Sequence, residues 1–140
     1  MHIRRRELAA ARAFSAVAGA LPWGVGQYRL ASPYADRNRW PKGFVADQQT
    51  SSGARLRLDL SDRTQLIAFL LRDYGPTLTR YVDRRLPHAG TFFDVGGHVG
   101  MMSFAMAAIR PDVMIHAFDP NLTNVGRWRH NHTLNPSERV

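Results

Sequence analysis

Two aspartates and a group of glycines are the residues of this sequence whose types and spacing could do chemistry. Asp94 is followed by Gly96, Gly97 and Gly100 in the stretch FDVGGHVG. Asp119 lies 25 positions after Asp94 (119 − 94 = 25), in the stretch HAFDPN. Glycines let a main chain approach a ligand closely and adopt positive φ angles, and carboxylates attract positive charge. The pattern therefore predicts a ligand site with carboxylates on either side of a glycine turn.

The glycine turn lies between segments that are typical of an α/β sheet. Residues 91–95, TFFDV, predict a strand buried on both faces, and residues 112–118 predict a second buried strand. Helices are predicted between these strands, over 99–109, and after the second strand, over 121–135. This order predicts parallel strands with right-handed crossovers. The carboxyl ends of both strands, and hence both aspartates, then lie at the edge of the sheet where ligands bind.

The spacing of the glycines excludes the common phosphate-binding loops. Counted from Gly96, the third and sixth positions of a dinucleotide fingerprint are His98 and Met101, and no Gly-Lys-Ser/Thr of a P-loop occurs. The pattern suits instead a nucleoside cofactor without a pyrophosphate, whose ribose hydroxyls would bind Asp119 at the end of the second strand. S-adenosylmethionine is such a cofactor, and its positive sulfonium and amino groups favour nearby carboxylates.

Residues 55–135 resemble the FkbM-type family of S-adenosylmethionine-dependent methyltransferases. The resemblance rests on the stretches LDLSDRTQ, TFFDVGGHVGMMSFAMA and IHAFDPNLTNVGRWRHNHTLN. The family pattern has a strand ending D-x-G-A-N-x-G, a strand ending A-F-E-P-N and a helix that carries N…L-N. The first motif falls on Asp94, Gly96 and Gly100, with Gly97 and His98 in place of alanine and asparagine. The second falls on Asp119, Pro120 and Asn121, with Asp119 in place of glutamate, and Asn131 and Asn135 follow.

The resemblance implies a fold, a cofactor and an activity. The fold would be an incomplete Rossmann-like methyltransferase domain, namely the first βαβα of a doubly wound α/β sheet, preceded by helices and a β-hairpin. The other strands and the catalytic base are expected beyond Val140, in a truncated frame or fragment. The activity would be transfer of the methyl group of S-adenosylmethionine to an oxygen of a small-molecule or sugar acceptor. The expected cofactor contacts are Asp94, Gly96, Gly97, His98, Gly100, Asp119, Pro120 and Asn121.

Composition supports a rival hypothesis, in which the chain is a non-catalytic remnant or basic interaction module that does not bind the cofactor. The formal net charge is +8, and a basic surface attracts phosphates, acidic polymers or anionic lipids. The basic residues are scattered apart from Arg4, Arg5 and Arg6, and no nucleic-acid-binding motif occurs. Nucleic acid is therefore not an expected partner, and the oligomeric state is left open.

The chain contains no cysteine, which excludes disulfides and thiolate metal sites. This composition fits a reducing compartment. No apolar run is long enough to span a bilayer. A cytoplasmic location is therefore expected.

The histidines do not predict a metal site. His130 and His132 are two positions apart on a predicted helix, so their side chains do not share a face. For His98, in the glycine turn, a solvent-facing role and a functional role are both open. His116 is predicted to be a satisfied histidine of a buried strand. For the two aspartates, helix capping is the alternative interpretation, and pairing with an arginine is a further alternative for Asp94.

The chain is predicted to divide into a helical and loop-rich extension, residues 1–53, and the N-terminal portion of a methyltransferase domain, residues 54–140. At the start, an amphipathic helix is favoured over a signal peptide because charged residues interrupt the apolar run. Residues 22–53 are rich in turn formers and predict loops. Aromatic side chains are predicted to anchor this region to the core: Trp23, Tyr28, Tyr34 and Trp40.

A hairpin and two helices are predicted before the glycine turn. Residues 54–60, ARLRLDL, alternate strictly and predict a half-exposed strand with leucines on one face and charged residues on the other. Residues 44–46 could be its hairpin partner. Asp62 and Gln65 resemble a capping box that starts a helix, and Pro76 starts another. Both helices are predicted to face the core.

Overall fold

The computed structural model describes residues 2–20, 26–37, 40–73 and 75–140. The helices in these parts of the chain are α1 (His2–Ala20), α2 (Gly26–Arg37), α3 (Arg63–Leu71), α4 (Pro76–Arg85), α5 (Met101–Ile109) and α6 (Leu122–Leu134). The strands are β1 (Val45–Gln49), β2 (Arg55–Asp59), β3 (Thr91–Val95) and β4 (Met114–Phe118). The chain is therefore a mixed α/β protein with two small sheets.

β1 and β2 form the antiparallel hairpin that the alternating pattern predicts. The register runs from Val45 opposite Asp59 to Gln49 opposite Arg55. The leucines of β2 face the core and are almost fully buried. Asp59 departs from the prediction of an exposed charged face, since it is only 5% exposed. It is buried because α6 packs on β2 and supplies Arg127 as its partner.

β3 and β4 are parallel neighbours connected through α5, which confirms the predicted order of strand, helix and strand. The register pairs Asp94 with Ala117 and Val95 with Phe118. Each strand has five residues; β3 ends directly before the glycine turn and β4 directly before Asp119. This ending places the candidate site residues at one edge of the parallel sheet.

The two faces of the parallel sheet differ in burial, so the prediction of strands buried on both faces is wrong. Phe92 and Ile115 belong to an apolar cluster with side chains of α4 and α5. On the opposite face, Phe93 is 61%, Val95 82% and Phe118 53% exposed. The apolar composition of both strands predicted burial, but the described helices cover one face alone.

The prediction of loops over residues 22–53 is wrong for much of the described part of that range, which contains α2 and β1. α2 cannot be recognised from a periodic stripe of large apolar residues, because its buried positions are polar or small: Gln27, Ala31 and Ala35. These small side chains let α2 pack closely on α3. The predicted division after residue 53 falls in the turn between β1 and β2, two strands of one sheet.

The aromatic anchors of that region are confirmed in part. Trp40 is buried and its ring centroid lies 4.8 Å from that of Phe44. Tyr34 is partly buried and packs against the main core. Tyr28 is exposed, so it does not act as an anchor. Trp23 lies outside the described residues.

The capping signals before α3 are confirmed in part. The Asp62 carboxylate accepts a hydrogen bond from Gln65 N at 2.9 Å. Gln65 Oε1 accepts instead from Asp59 N at 2.9 Å, so the reciprocal half of the capping box is replaced by a contact with β2. α3 is buried along most of its length. α4 begins where predicted, but Leu78 and Tyr81 are exposed rather than facing the core.

Candidate functional site

The glycine turn closes across the ends of β3 and β4. The N–H groups of Gly96 and Gly97 both donate to the carbonyl oxygen of Phe118, at 2.8 and 3.0 Å. Gly96 has a φ angle of +83°, a conformation that glycine adopts without steric cost. Asp94, in β3, and Asp119, directly after β4, are thereby brought to one edge of the sheet, as the sequence predicts.

Asp119 holds the turn and the start of α6 at the same time. Its Oδ2 accepts from His98 N at 2.9 Å, and its Oδ1 accepts from Asn121 N at 2.8 Å. Asn124 Nδ2 lies 3.2 and 3.3 Å from the two oxygens. These hydrogen bonds, the one from Asn121 N foremost, hold the pKa of Asp119 below its ordinary value. The side chain is therefore an ionised carboxylate at neutral pH, with much of its hydrogen-bonding capacity used inside the chain.

The N-cap of α6 is Asn121, not Asp119. Asn121 Oδ1 accepts a hydrogen bond from Thr123 N at 2.9 Å. Pro120 lies before the cap, and the first helical residue is Leu122. The alternative in which Asp119 caps α6 and Pro120 opens it is therefore wrong by two residues, although Asp119 does bind the main chain just before the helix.

Asp94 is bonded to α5 through a side chain rather than through a helix cap. Ser103 Oγ donates to Asp94 Oδ2, and Trp128 Nε1 lies 3.4 Å from Ser103 Oγ. The residue in the N-cap position of α5 is Gly100, so capping by Asp94 is wrong. A Cβ atom on Gly97 would lie 3.3 Å from Asp94 Oδ2. The glycine thus lets the turn pass close to this carboxylate.

A cavity of about 250 Å³ lies beside the turn. Three segments line it, and its residues are Asp94, Gly96, Gly97 and His98 at the end of β3, Met101 and Met102 of α5, and Asp62 and Thr64 at the start of α3. The structure therefore brings four of the predicted cofactor contacts together. Among the described residues, those that line this cavity do not include Asp119, Pro120 or Asn121.

Gly100 has a packing role, and the structure does not bring it to the cavity. Its φ angle is +87°. A Cβ atom at this position would overlap the ring of Phe104 and lie 2.9 Å from Trp128 Cδ1. The two ring centroids are 5.0 Å apart. A glycine is needed here because the start of α5 passes directly under an aromatic pair that joins α5 to α6.

Five residues of the site were not predicted from the sequence: Asp62, Thr64, Met101, Met102 and Ser103. Ser103 had a usable signal, since it is the one polar side chain within the apolar helix MMSFAMAAI and buried hydroxyl groups need partners. Asp62 was recognised as a helix cap alone. Nothing in the local sequence connects Asp62 or Thr64 with the glycine turn, because it is the tertiary structure that brings the start of α3 to the cavity beside the turn.

The histidines occupy separate environments. His116 is exposed and stacks on Phe93, with ring centroids 5.3 Å apart, so the prediction of a core histidine is wrong. His132 stacks on Trp128 at 5.5 Å, whereas His130 is exposed. Among the described residues, no group of three or more histidine, cysteine, aspartate or glutamate side chains could hold a metal ion.

No protein-family model, curated protein or solved structure matches the chain. None of the helices within 2–20, 26–37, 40–73 and 75–140 combines the length and the apolar content needed to cross a membrane.

Proposed function

We propose that the chain binds S-adenosylmethionine at the glycine turn and belongs to an FkbM-type methyltransferase that acts in the cytoplasm on a hydroxyl oxygen of a small molecule or sugar. The observation that carries the proposal is the pair of carboxylates, Asp94 and Asp119, at the ends of neighbouring parallel strands. The N–H groups of Gly96, Gly97 and His98 are all bonded within the chain. The turn therefore offers little to a phosphate, whereas its carboxylates suit a cofactor that carries positive charge.

The residues that line the 250 Å³ cavity fit one end of this cofactor. Asp62 and Asp94 supply carboxylates that suit its positive amino and sulfonium groups. Met101 and Met102 supply an apolar wall that suits a thioether chain. Small-molecule pockets usually begin at about 300 Å³, so this cavity would take the amino-acid end of the cofactor. The ribose would then bind Asp119, outside the cavity.

The chain's own residues would bind and orient the reactants. S-adenosylmethionine, when bound, supplies an electrophilic methyl group. Ser103 holds Asp94 in a fixed orientation at the cavity wall, and Asp119 holds the turn against α6. Fixed placement of two reactants converts a bimolecular step into an effectively unimolecular one, and this is a major source of rate enhancement in enzymes.

The proposal is tested by calorimetric titration of the purified chain with S-adenosylhomocysteine, with circular dichroism to confirm folding. We expect saturable binding that Asp94→Asn weakens by about tenfold or more, because a charge-assisted contact is lost. Asp119→Asn should weaken binding as well. Glu138→Gln is the matched control, since Glu138 is exposed and the change in charge is the same. A folded chain that does not bind would contradict the proposal.

The rival function is that of a non-catalytic interaction module, and one observation favours it. The Asp119 carboxylate already accepts hydrogen bonds from His98 N, Asn121 N and Asn124 Nδ2, so a ribose would compete with the turn for it. The same titration separates the two functions. A folded chain without affinity for S-adenosylhomocysteine supports the interaction module, whereas binding that depends on Asp94 supports the methyltransferase.

A further inference from the structure

A second, larger cavity of about 720 Å³ has one lining residue, Asp62, in common with the first. It lies between the end of α2, the start of α3, the end of β2 and α6. Asp62 lines both cavities and therefore stands at the boundary between them. The volume of the larger cavity is in the range of small-molecule sites. Its charged lining residues are Asp36, Lys42, Asp59, Asp62, Arg63 and Arg127.

Two ion pairs account for most of these charges. Arg63 Nε lies 2.7 Å from Asp36 Oδ1, and Arg127 Nη2 lies 2.7 Å from Asp59 Oδ2. The Arg63 guanidinium is also engaged by Ser32 and Tyr28. Arg127, in contrast, uses one of its five N–H donors in its bond with Asp59. Its guanidinium therefore keeps donors that can bind a ligand in the cavity.

The ammonium group of Lys42 and one carboxylate oxygen of Asp62 are the other charged groups of the lining that make no bond within the described chain. Within the described parts of the chain, Lys42 makes no hydrogen bond or ion pair. Asp62 caps α3 through Oδ1, which leaves Oδ2 as a hydrogen-bond acceptor. The wall thus offers positively charged donors from Lys42 and Arg127, together with one carboxylate oxygen at the boundary with the first cavity.

We propose that this larger cavity is the acceptor site and that it takes a small hydroxyl compound carrying an oxyanion, either a carboxylate or a phosphate. Lys42 and Arg127 bind the oxyanion because their free donors are positively charged. Asp62 accepts a hydrogen bond from a hydroxyl group and holds it at the boundary with the cofactor cavity. The role as an acceptor rests on the proposed function, whereas binding of the oxyanion does not require the cofactor.

The test is titration of the purified chain with three sugar probes, followed by NMR: glucuronate, glucose 6-phosphate and the neutral methyl glucoside. We expect saturable binding of at least one anion, and affinity for methyl glucoside at least about tenfold lower. The two anions distinguish a carboxylate from a phosphate. Equal affinity for the neutral sugar would overturn the proposal, as would a folded chain that binds neither anion.

Lys42→Met removes the ammonium group and keeps most of the side-chain volume. We expect it to weaken binding of the preferred anion about tenfold. Arg80→Met is the matched control, because it removes one positive charge from an exposed position of α4 that does not line the cavity. An equal loss of affinity in both variants would show that the net charge of the protein, and not a contact with Lys42, attracts the anion, and would overturn the proposed oxyanion site.

Asp62→Asn tests the hydroxyl contact, and asparagine caps a helix about as well as aspartate. The wild type should prefer glucuronate to cyclohexanecarboxylate, which lacks hydroxyl groups, and the variant should lose much of this preference. An unchanged preference overturns the role of Asp62. Binding of either anion without binding of S-adenosylhomocysteine contradicts the proposed function but supports the oxyanion site. Binding of S-adenosylhomocysteine by a chain that binds neither anion overturns the oxyanion site alone.

Discussion

The side-chain amide of Asn131 is hydrogen-bonded to the main chain of Arg57. Oδ1 accepts from Arg57 N at 2.8 Å, and Nδ2 lies 3.4 Å from the Arg57 carbonyl oxygen and 2.9 Å from that of Val99. One turn later, the amide of Asn135 pairs with the N–H and carbonyl of Arg55, at 2.8 and 2.6 Å. Asn131 of α6 and Asn135, the C-cap of α6, thus occupy the free edge of β2, and Asn131 also joins the hairpin to the turn that precedes α5.

Replacing Asn131 should destabilise the whole protein. Asn131 is fully buried, and Asn131→Ala leaves the carbonyl of Val99 and the N–H of Arg57 without this partner. We expect a loss of about 2–3 kcal/mol in the free energy of unfolding, measured by urea denaturation. Asn135→Ala should cost less, about 1 kcal/mol, because that side chain is partly exposed. Equal losses would show that the buried bonds of Asn131 have no special weight.

Gly100→Ala should destabilise the fold through two separate effects. A φ angle of +87° costs a non-glycine residue roughly 1–2 kcal/mol, and the added Cβ overlaps the ring of Phe104. We expect a total of about 2–4 kcal/mol from thermal or chemical unfolding. Gly53→Ala is the control, since its φ angle is +97° and no atom lies within 4 Å of the added Cβ. A Gly53→Ala loss as large as that of Gly100→Ala would argue against the steric overlap.

The Asp59–Arg127 pair should contribute to the attachment of α6 to β2. Burial raises the pKa of Asp59, but hydrogen bonds from Ser61 and the charge of Arg127 outweigh burial and hold the pKa below its ordinary value. A double-mutant cycle with Asp59→Asn and Arg127→Met should give a coupling energy of about 1–2 kcal/mol, because the Asp59 side chain is buried and that of Arg127 is partly exposed.

The exposed pair Asp47–Arg57 is the control for that cycle. Its two side chains are 50% and 42% exposed, and solvent screening makes the coupling of such exposed pairs weaker than that of a buried pair. If the two cycles give the same coupling energy, burial of Asp59 does not strengthen its ion pair. Both cycles are measured by urea denaturation at neutral pH.

Asp119 should make the stability of the protein depend on pH in the acid range. Its pKa in the folded state lies below its ordinary value, chiefly because of the hydrogen bond from Asn121 N. The folded state therefore gains stability from the ionised carboxylate above the unfolded pKa of about 4, and loses it as the pH falls through the lower folded pKa.

Melting temperatures measured from about pH 7 to about pH 2.5 test this dependence. That pH range spans the ordinary aspartate pKa of about 4. Asp119→Asn should lower the melting temperature at neutral pH, and the difference from the wild type should shrink as the acid transition is passed. Glu138→Gln carries the same change in charge and should differ little from the wild type. A difference that stays constant over the whole range would show that the charge of Asp119 is not responsible.

Much of the candidate site could be predicted from the sequence because its signals are local. Asp94 and Asp119 each end a short apolar run, and parallel pairing of β3 and β4 brings such endings to one edge of a sheet. Gly97 belongs to the same turn, so the local sequence was enough to predict its place at the site. Asp62 could not be placed at the site, because its only local signal is that of a helix cap.

In the fold, too, the features with a local sequence signal were predicted and those without one were missed. The hairpin and the helices that border β3 and β4 follow from periodicities of 2 and 3.6 residues. α2 was missed because a helix that buries Ala31 and Ala35 has no apolar stripe to recognise. The exposure of Phe93 and His116 was missed for another reason, since an apolar strand sequence does not reveal how many of its faces other elements cover.

The sequence by itself determined the α/β order, the alternating strand of the hairpin and the two carboxylates at the glycine turn, because alternation, helical spacing and glycine placement are properties of short segments. The tertiary structure alone decided that Asp62 stands between two cavities, that Ser103 orients Asp94, and that Asn131 binds the edge of β2. These relationships depend on contacts between segments that are far apart in the chain. Such contacts exist only once the burial of apolar side chains has fixed how the helices pack on both sheets.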